Sequence, residues 1–260
     1  MSMKVERECK IVSKEQVGDA VYMTLEVGDM IRASFRAPGQ FVHIRCGEGL
    51  LLRRPISVCS CMEDEPDDLL SIVFEVRGEG TRWLAGRELG DSLDVLGLAG
   101  NGFDLKPEGR YLLVGGGIGI PPMLGCAQYT GGRATAILGG RSRDKIILED
   151  FFREDCAKVL CATDDGSLGH HGFVDALVRR ELSEDRGYDG VLACGPKPML
   201  RNVAKVAEEF GIPCQVSMEE RMGCGVGACL VCACDMADGS RKHVCKDGPV
   251  FDSREVDWDA

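Results

Sequence analysis

The N-terminal part of the chain alternates between apolar and polar positions in short runs that end at turn residues. Four runs show this pattern: residues 21–27, 41–45, 69–76 and 93–97. Alternation over a few residues is typical of strands that bury one face. Many short strands with few helical periods between them predict a small antiparallel β-barrel, which we place at residues 1–105.

The hydrophobic pattern changes after residue 106. Helical segments now separate mostly apolar runs at residues 111–114, 134–138, 157–162 and 190–194. One such segment, residues 198–210, has apolar residues at a spacing of about 3.6. Buried strands that alternate with helices are typical of a parallel sheet. The pattern therefore predicts an α/β parallel-sheet domain at residues 106–218.

The last part of the chain, residues 219–260, is rich in cysteine and glycine and too short to bury a core of its own. We expect a small C-terminal subdomain held together by a metal centre. The length of 260 residues fits two domains with such an appendage. The chain is thus predicted to be a multi-domain protein.

Composition excludes some partners and suggests a compartment. A formal net charge of −11 disfavours nucleic acid and anionic membranes, because neither attracts an acidic surface. No run approaches the roughly 18 apolar residues of a membrane span. The first ten residues are charged and lack the apolar region of a signal peptide, so we expect a cytoplasmic protein.

Five of the 14 cysteines lie close together near the C-terminus. Cys224, Cys229 and Cys232 have the spacing C-x4-C-x2-C, and Cys245 follows at a distance, as in plant-type 2Fe–2S ferredoxins. The alternative is structural zinc, which more often shows two C-x2-C pairs and fewer glycines. We predict a 2Fe–2S cluster on these four cysteines and treat Cys234 as an inert neighbour.

Glycines interrupt the cysteine segment at positions 223, 225 and 227. Several sulfur atoms must converge in a tight loop, which requires unusual backbone angles. We expect Gly223, Gly225 and Gly227 to adopt them and to leave amides free to bond the sulfurs. The fourth ligand is expected to come from a following hairpin around residues 241–245.

Two short motifs in the predicted barrel are candidates for a flavin. An arginine can pair with a pyrophosphate, and a serine hydroxyl can bond the polar edge of an isoalloxazine ring. The first motif supplies Arg54, Pro55, Ile56 and Ser57. Gly80 and Thr81, at a predicted helix start, suit a phosphate. The alternative for Arg53 and Arg54 is a solvated pair beside a turn.

Two further motifs lie at predicted strand ends of the α/β domain. A glycine turn leads from the first strand into a helix, and its amides would receive a pyrophosphate. Its glycines are Gly115, Gly116, Gly117 and Gly119, and their spacing is not G-x-G-x-x-G. The second motif is Cys194, Gly195 and Pro196. Cys194 could lie near a nicotinamide or be a small buried residue.

The choice between NAD and NADP stays open in the sequence. Asp164 or Asp165, at another strand end, could bond a ribose hydroxyl or simply form a turn. Arg141 and Arg143 could meet a 2′-phosphate or be surface charges.

The order of the motifs resembles the ferredoxin–NADP reductase superfamily across nearly the whole chain. These are PGQFV (38–42), RPIS (54–57), GEGT (78–81), GGGIG (115–119) and CGPKPM (194–199). Two more motifs are similar to the electron-transfer subunits of heteromeric dihydroorotate dehydrogenases: TDDGSLG (163–169) and ERMGCGVGACLVCAC (220–234).

This resemblance implies three cofactors and a partner. FAD would lie on the barrel, NAD in the α/β domain, and the 2Fe–2S cluster on the four cysteines. The flavin contacts would include the motif at 54–57, Gly80, Thr81 and the strand residues Val73, Phe74 and Glu75. A catalytic subunit with FMN would oxidise dihydroorotate to orotate in pyrimidine biosynthesis, in a heterotetramer with two of each chain.

The implied function is electron transfer, from the partner through the cluster and FAD to NAD+. The chain is thus expected to be an oxidoreductase subunit, active in a complex, with no general acid or base of its own. One alternative is a reductase subunit of a sulfide dehydrogenase, a hydrogenase or a ferredoxin–NADP oxidoreductase. Another is a zinc-stabilised binding module on a degenerate reductase scaffold.

Overall fold

A computed structural model describes residues 5–63 and 67–260 of the chain. The strands form a closed barrel, a seven-stranded sheet and a two-stranded hairpin. Along the described residues, no helix combines the length and the apolar character needed to cross a membrane.

Six antiparallel strands close the barrel in the order β1-β2-β5-β4-β3-β6. Their bounds are β1 Val5–Val17, β2 Ala20–Glu26, β3 Phe41–Ile44, β4 Arg54–Met62, β5 Leu69–Glu75 and β6 Ser92–Ala99. The predicted barrel is confirmed, and its four alternating runs correspond to β2, β3, β5 and β6. The pattern had not singled out β1 and β4.

Alternation explains why the barrel closes around an apolar interior. Met23 and Leu25 of β2, Ile72 of β5 and Val95 of β6 are fully buried in one core. Two short helices lie outside the strands, α1 (Met30–Ser34) and α2 (Glu79–Ala85). Helix α2 begins directly after β5, which places the predicted phosphate motif at the rim of the barrel.

The larger sheet has the order β10-β9-β8-β7-β11-β12-β15 and is parallel except for β15. Its first six strands in chain order are β7 Tyr111–Gly116, β8 Thr135–Gly140, β9 Lys158–Thr163, β10 His170–His171, β11 Gly190–Cys194 and β12 Cys214–Ser217. The helices are α3 Ile120–Tyr129, α4 Glu149–Asp155, α5 Val174–Glu184 and α6 Lys197–Phe210. The predicted α/β parallel-sheet domain is confirmed.

The cysteine-rich segment folds against the sheet. Its hairpin consists of β13 (Ala233–Asp235) and β14 (Arg241–His243), and β15 (Val250–Asp252) then pairs with β12. The C-terminal residues are tied to α6, because Lys197 Nζ donates to the Ala260 carbonyl at 2.8 Å and Arg201 pairs with Asp259. The cysteine loop is therefore anchored to the α/β domain.

The barrel and the α/β domain share a buried interface. Val73 of β5 packs in one apolar cluster with Leu113 of β7 and Leu124 of α3. Tyr22, which pairs with Val73 across β2 and β5, packs against the same cluster, and its ring stacks on that of Phe151 with centroids 6.4 Å apart. These contacts hold β5 beside the carboxyl ends of the parallel strands, where ligands bind in open α/β sheets.

Candidate redox cofactor sites

Main-chain amides surround the sulfur atoms of the cysteine loop. Cys224 Sγ accepts three of them, from Val226 at 3.4 Å, Ala228 at 3.2 Å and Cys229 at 3.4 Å. Cys229 Sγ accepts the Cys224 amide at 3.4 Å. Amide donors to sulfur stabilise thiolate ligands and are typical of iron–sulfur sites.

The other two cysteines of the predicted set lie on the inner side of the loop. Cys245 Sγ accepts the Gly227 amide at 3.1 Å, and Cys232 Sγ accepts the Cys245 amide at 3.4 Å. Both cysteines are buried, whereas Cys229 is exposed. One side of the loop thus faces solvent and the other faces the protein.

The four thiols are arranged as two pairs. Cys224 contacts Cys229, and Cys245 contacts Cys232. A 2Fe–2S cluster is held by four cysteine thiolates, two on each iron. The donor set and its pairing therefore fit a binuclear cluster, and the ligand assignment itself stays a prediction.

Glycines shape this loop in two different ways. Gly225 and Gly227 have φ of 66° and 79°, so their backbone lies in the left-handed region. A Cβ at Gly225 would overlap the His43 ring, and a Cβ at Gly227 would lie 2.7 Å from Lys246 Cδ. Gly223 has no such backbone angle, contrary to expectation; a Cβ there would lie 3.1 Å from Cys229 Sγ. Gly223 instead provides room beside a sulfur.

The surroundings shift the pKa values of two thiols of the loop in opposite directions. Burial by itself raises the pKa of Cys224, but the amides of Val226, Cys229 and Ala228 lower that pKa to about 6. Burial, followed by the neighbouring Cys232 thiol, raises the pKa of Cys245 to about 12. Cys224 therefore already favours the thiolate form that binds metal.

Cys234 is turned away from the loop. Its sulfur lies 3.8 Å from Met236 Sδ and 3.5 Å from the Lys242 carbonyl oxygen. Burial raises its pKa above the usual value. This fifth cysteine packs in the apolar interior of the subdomain.

The two predicted flavin motifs meet at the barrel rim. A Cβ on Gly80 would overlap the Arg54 guanidinium, so the arginine lies directly against the start of α2. The first amides of a helix have no partner within the helix, and they favour an anion. An arginine beside them suits a pyrophosphate. The arrangement fits the phosphate end of FAD.

Thr81 has a structural role in this turn. Its hydroxyl accepts the amides of Arg77 at 2.9 Å and Gly78 at 3.1 Å, and it can donate to the Gly78 carbonyl at 3.2 Å. The hydroxyl thus shapes the turn at the start of α2, next to the place where Arg54 lies against Gly80.

The remaining flavin candidates lie on β4 and β5. Pro55 and Ser57 pair with His43 and Phe41 of β3. The side chains of Ile56 and Phe74 are buried in the barrel core, and that of Val73 is buried at the domain interface. These three residues could reach a flavin only through main-chain atoms. Their roles stay predictions.

Arg53 and Arg54 differ in surroundings. Arg53 donates to the Asp94 carboxylate at 2.9 Å and to the Asp94 carbonyl at 2.9 Å, and it pairs with Glu6. Arg53 is thus held in an ion-pair network, whereas Arg54 lies against Gly80.

A cleft of about 790 Å³ runs along the carboxyl edge of the parallel sheet. Its lining includes Gly116 and Gly117 after β7, Gly195 and Pro196 after β11, and Glu75 at the end of β5. The cleft therefore connects the glycine turn to the flavin strand. Its position and volume suit a dinucleotide.

The other predicted nucleotide residues pack behind this cleft. A Cβ on Gly119 would overlap the Cys194 carbonyl, and a Cβ on Gly115 would lie 2.8 Å from the Ile120 Cα. The Cys194 thiol is buried, and burial followed by the charge of Glu219 raises its pKa to about 12. Cys194 therefore packs behind the residues that line the cleft.

The chain is similar to known proteins over almost its whole length. Residues 219–257 match the model of the iron-sulfur cluster binding domain of dihydroorotate dehydrogenase B. The dihydroorotate dehydrogenase B (NAD(+)) electron transfer subunit of Caldanaerobacter subterraneus subsp. tengcongensis is 37% identical over 258 residues, which cover 98% of this chain and 99% of the relative. The chain belongs to this family. The Bacillus caldolyticus family member is 40% identical, with 95% and 96% covered.

Solved structures agree with the family membership. A chain of the NADH-dependent reduced ferredoxin–NADP oxidoreductase superposes with a TM-score of 0.84 at 34% identity, covering 96% of this electron transfer subunit and 90% of that chain. A cytochrome P450 reductase from Amycolatopsis has a TM-score of 0.66 at 19% identity, with 81% and 67% covered, which shows the shared fold alone.

The structure of this family member adds cleft residues that the motifs had missed. They come from the loop after β8, the start of α5, α6 and the entry to the cysteine segment: Lys145, Phe173, Asp175, Asn202 and Glu219. Their positions after parallel strands were a usable signal, because such loops meet at one sheet edge. Glu219 had no such signal, because it approaches the cleft only through the way the cysteine segment folds back.

Proposed function

We propose that this chain is the electron-transfer subunit of a heteromeric dihydroorotate dehydrogenase and carries electrons to NAD+. The observation that supports this most strongly is the amide-lined cysteine loop anchored to a reductase fold that has a dinucleotide cleft. The family relatives bear the name of the dihydroorotate dehydrogenase B (NAD(+)) electron transfer subunit.

Three groups of residues would hold the cofactors. Cys224, Cys229, Cys232 and Cys245 would bind the 2Fe–2S cluster, and Arg54 with the start of α2 would bind the FAD pyrophosphate. The cleft would bind NAD, with the amides around Gly117 open to its pyrophosphate, because nothing lies within 4 Å of a Cβ placed there. FAD supplies the conversion between one-electron chemistry and hydride chemistry.

The residues of this chain position the flavin strand β5 beside the nucleotide cleft. The shared core around Val73 fixes β5 against the sheet, so that Glu75 lies at the mouth of the nucleotide cleft. Glu75 Oε2 accepts from Arg77 Nε at 2.9 Å, which holds the carboxylate in place. No general acid or base is assigned to this chain in the proposal.

The partner is proposed to dock over the exposed side of the cysteine loop. Three apolar residues of the loop close to Cys229 in sequence are exposed there: Val226, Leu230 and Val231 are 40%, 59% and 57% exposed. Apolar side chains at a polar surface are typical of interaction sites. The proposed partner is an FMN-containing catalytic subunit, and the assembly is a cytoplasmic heterotetramer with two of each chain.

The test is anaerobic co-purification of this chain from its native cell, followed by an assay of dihydroorotate-dependent NAD+ reduction. Activity that co-elutes with an FMN-bearing partner is the expected result. Reduction of NAD(P)+ from ferredoxin, hydrogen or sulfide, with no response to dihydroorotate, would overturn the proposed function and favour another reductase complex.

A substitution tests the docking surface separately. Leu230 has a φ of 61°, which aspartate tolerates better than leucine, so Leu230→Asp should fold normally. We expect it to weaken partner binding by about 10-fold or more, because a charge would be buried at an apolar contact. Leu89→Asp, at an apolar residue that is 65% exposed on the barrel side, is the matched control. Equal partner affinity in both variants would contradict the docking site.

A further inference from the structure

Strand β3 of the barrel is buried on both of its faces. Successive side chains of a strand project to opposite sides, and Val42 packs in the apolar core of the barrel. On the outer face, Phe41 packs in one apolar cluster with Cys232 and Cys245. His43 shares this face, because its ring lies edge-on to that of Phe41 with the centroids 6.5 Å apart. The cysteine segment therefore lies over the outer face of β3.

The same outer face continues onto β4, which carries the candidate flavin motif. In an antiparallel pair, residues directly opposite each other project to the same side of the sheet. His43 is opposite Pro55, and Phe41 is opposite Ser57. Pro55 is exposed and Ser57 is half-buried, so this face is closed over β3 and partly open over β4. Because neighbouring strands are about 4.8 Å apart, the cysteine segment and the flavin motif lie side by side on the barrel.

The His43 ring lies directly against the main chain of the cysteine loop. Its side chain is fully buried, and a Cβ placed on Gly225 would lie 2.4 Å from His43 Nδ1. A side chain at residue 225 would prevent this approach, and the φ of 66° at Gly225 also favours glycine. An imidazole costs more to bury than an apolar side chain of similar size. Its presence here indicates a polar role towards the loop rather than simple filling of space.

Gly225 comes just before the amides that bond two of the sulfur atoms. The Val226 amide donates to Cys224 Sγ at 3.4 Å, and the Gly227 amide donates to Cys245 Sγ at 3.1 Å. Peptide groups are planar, so the direction of an N–H depends on the backbone angles on either side of its peptide plane. A ring packed against Gly225 therefore restrains the peptide whose N–H bonds Cys224.

We propose that His43 is a positioning residue for the 2Fe–2S cluster: its ring holds Gly225 in place, and with it the amides that bond the cysteine sulfurs. This inference rests on the proposed cluster ligands and adds a residue of the barrel to them. Amide donors to the sulfurs stabilise the more negatively charged reduced cluster and so raise its reduction potential. His43 thereby tunes the cluster from the strand next to the flavin motif.

The test is an EPR-monitored redox titration of the anaerobically purified, cofactor-loaded protein. We expect His43→Ala to lower the midpoint potential of the cluster by about 59 mV, which is a tenfold change in a one-electron equilibrium. His43→Asn should restore most of the potential, because an asparagine amide can place a polar atom near the position of Nδ1. The FAD potential, followed by absorbance in the same samples, should change much less.

Val42→Ala is the matched control on the same strand. Val42 packs in the barrel core, so this variant should lower the urea midpoint of unfolding and leave the potential of the cluster unchanged. An equal shift of the potential in Val42→Ala would show a general loosening of the barrel and would overturn the role of His43.

A double-mutant cycle tests the contact from its other side. Gly225→Ala would place a methyl group into the His43 ring, and it should speed the loss of iron to a chelator by about 10-fold. In a His43→Ala background the methyl group has space, so the same substitution should have a smaller effect. Additive effects would contradict a role that acts through this contact.

The possible results separate the inference from the proposal on which it rests. An unchanged or raised potential in His43→Ala, with wild-type iron content, would overturn the role of His43 alone. Loss of the cluster from His43→Ala but not from Val42→Ala would support that role. A wild-type protein without iron and without the EPR signal of a reduced binuclear cluster would overturn the proposed ligands themselves.

Discussion

Two glycine-rich turns of this molecule look similar in sequence and differ in what their glycines do. In the cysteine loop, residues 223–232, the main chain is turned towards sulfur, and Gly227 N–H donates to Cys245 Sγ at 3.1 Å. In the turn after β7, residues 115–119, Gly119 mainly lets the chain approach the Cys194 carbonyl. Glycine spacing thus indicates where a turn lies, but packing decides which glycine faces a ligand.

The cysteines of the two regions differ in the same way. Amide donors surround Cys224 and lower its pKa to about 6 against the effect of burial. Cys194 lies behind the turn after β7, where burial raises its pKa to about 12. The surroundings of Cys224 favour the thiolate form, which is the form that binds metal, whereas Cys194 is a buried packing group.

The largest expected effect comes from removing one thiolate of the loop. Cys229→Ser should lose the cluster iron and retain FAD, because the flavin motifs lie on the barrel and the cluster needs four thiolates. Iron and flavin analysis of the purified protein is the measurement. Cys234→Ser is the control and should keep its iron. Wild-type iron content in Cys229→Ser would show that the ligand assignment is wrong.

The next largest effect is expected from a substitution that disrupts packing in the turn after β7. Gly119→Ala should lower the free energy of unfolding by about 3 kcal/mol, because its Cβ would overlap the Cys194 carbonyl of the main chain. Gly117→Ala has open space, and its positive φ of 54° should cost only about 1 kcal/mol. Urea unfolding measures both. Equal losses would contradict the assignment of Gly119 to packing and Gly117 to the cleft.

The next prediction concerns Arg54, which lies against a third glycine, Gly80, at the proposed FAD site. Arg54→Ala should weaken FAD binding by about 10-fold, because a charged donor to the pyrophosphate is removed. Arg53→Ala is the control: it should affect unfolding more than FAD affinity, because Arg53 pairs with Asp94 at 2.8 Å. The measurement is fluorescence titration of the apoprotein with FAD. Equal FAD affinity in the two variants would count against Arg54 as the phosphate ligand.

The smallest effect concerns the buried thiol behind the second turn. The pKa of Cys194 is raised from 9.0 to about 12, so its contribution to stability is complete below about pH 9 and is lost as the pH rises towards 12. Between pH 8 and pH 10, Cys194→Ala should therefore lose about 1 kcal/mol less of its unfolding free energy than the wild type. Unfolding in urea at both pH values is the measurement. An unchanged difference would mean that the thiol is accessible to solvent.

Much of the fold was predictable, because a strand or a helix that buries one face repeats its apolar residues at a fixed spacing along the sequence. The alternating run at 69–76 became β5, and the helical spacing at 198–210 became α6, which begins at Lys197. Strand β4 was harder to predict, because it begins with the polar and proline residues of a cofactor motif. Strand β15 has only three residues, and its pairing with β12 is set by tertiary contacts.

The candidate sites were predictable where one local segment carries the chemistry. The cysteine spacing is local, and the amide donors followed from its glycines. The cleft was only partly predictable, because Glu75, Phe173 and Glu219 come from three distant segments that the domain interface brings together. Asp164 and Asp165 were indistinguishable in sequence, and only the hydrogen bonds of Asp165 with Ser167 separate them.

The most direct test of the account is a metal, sulfide and flavin analysis of the anaerobically purified chain, combined with EPR after reduction. We predict about two irons and about two inorganic sulfides per chain, one FAD, and the EPR signal of a reduced binuclear cluster. A colourless protein with one zinc, no inorganic sulfide and no flavin would contradict the central claim that this chain is a redox subunit.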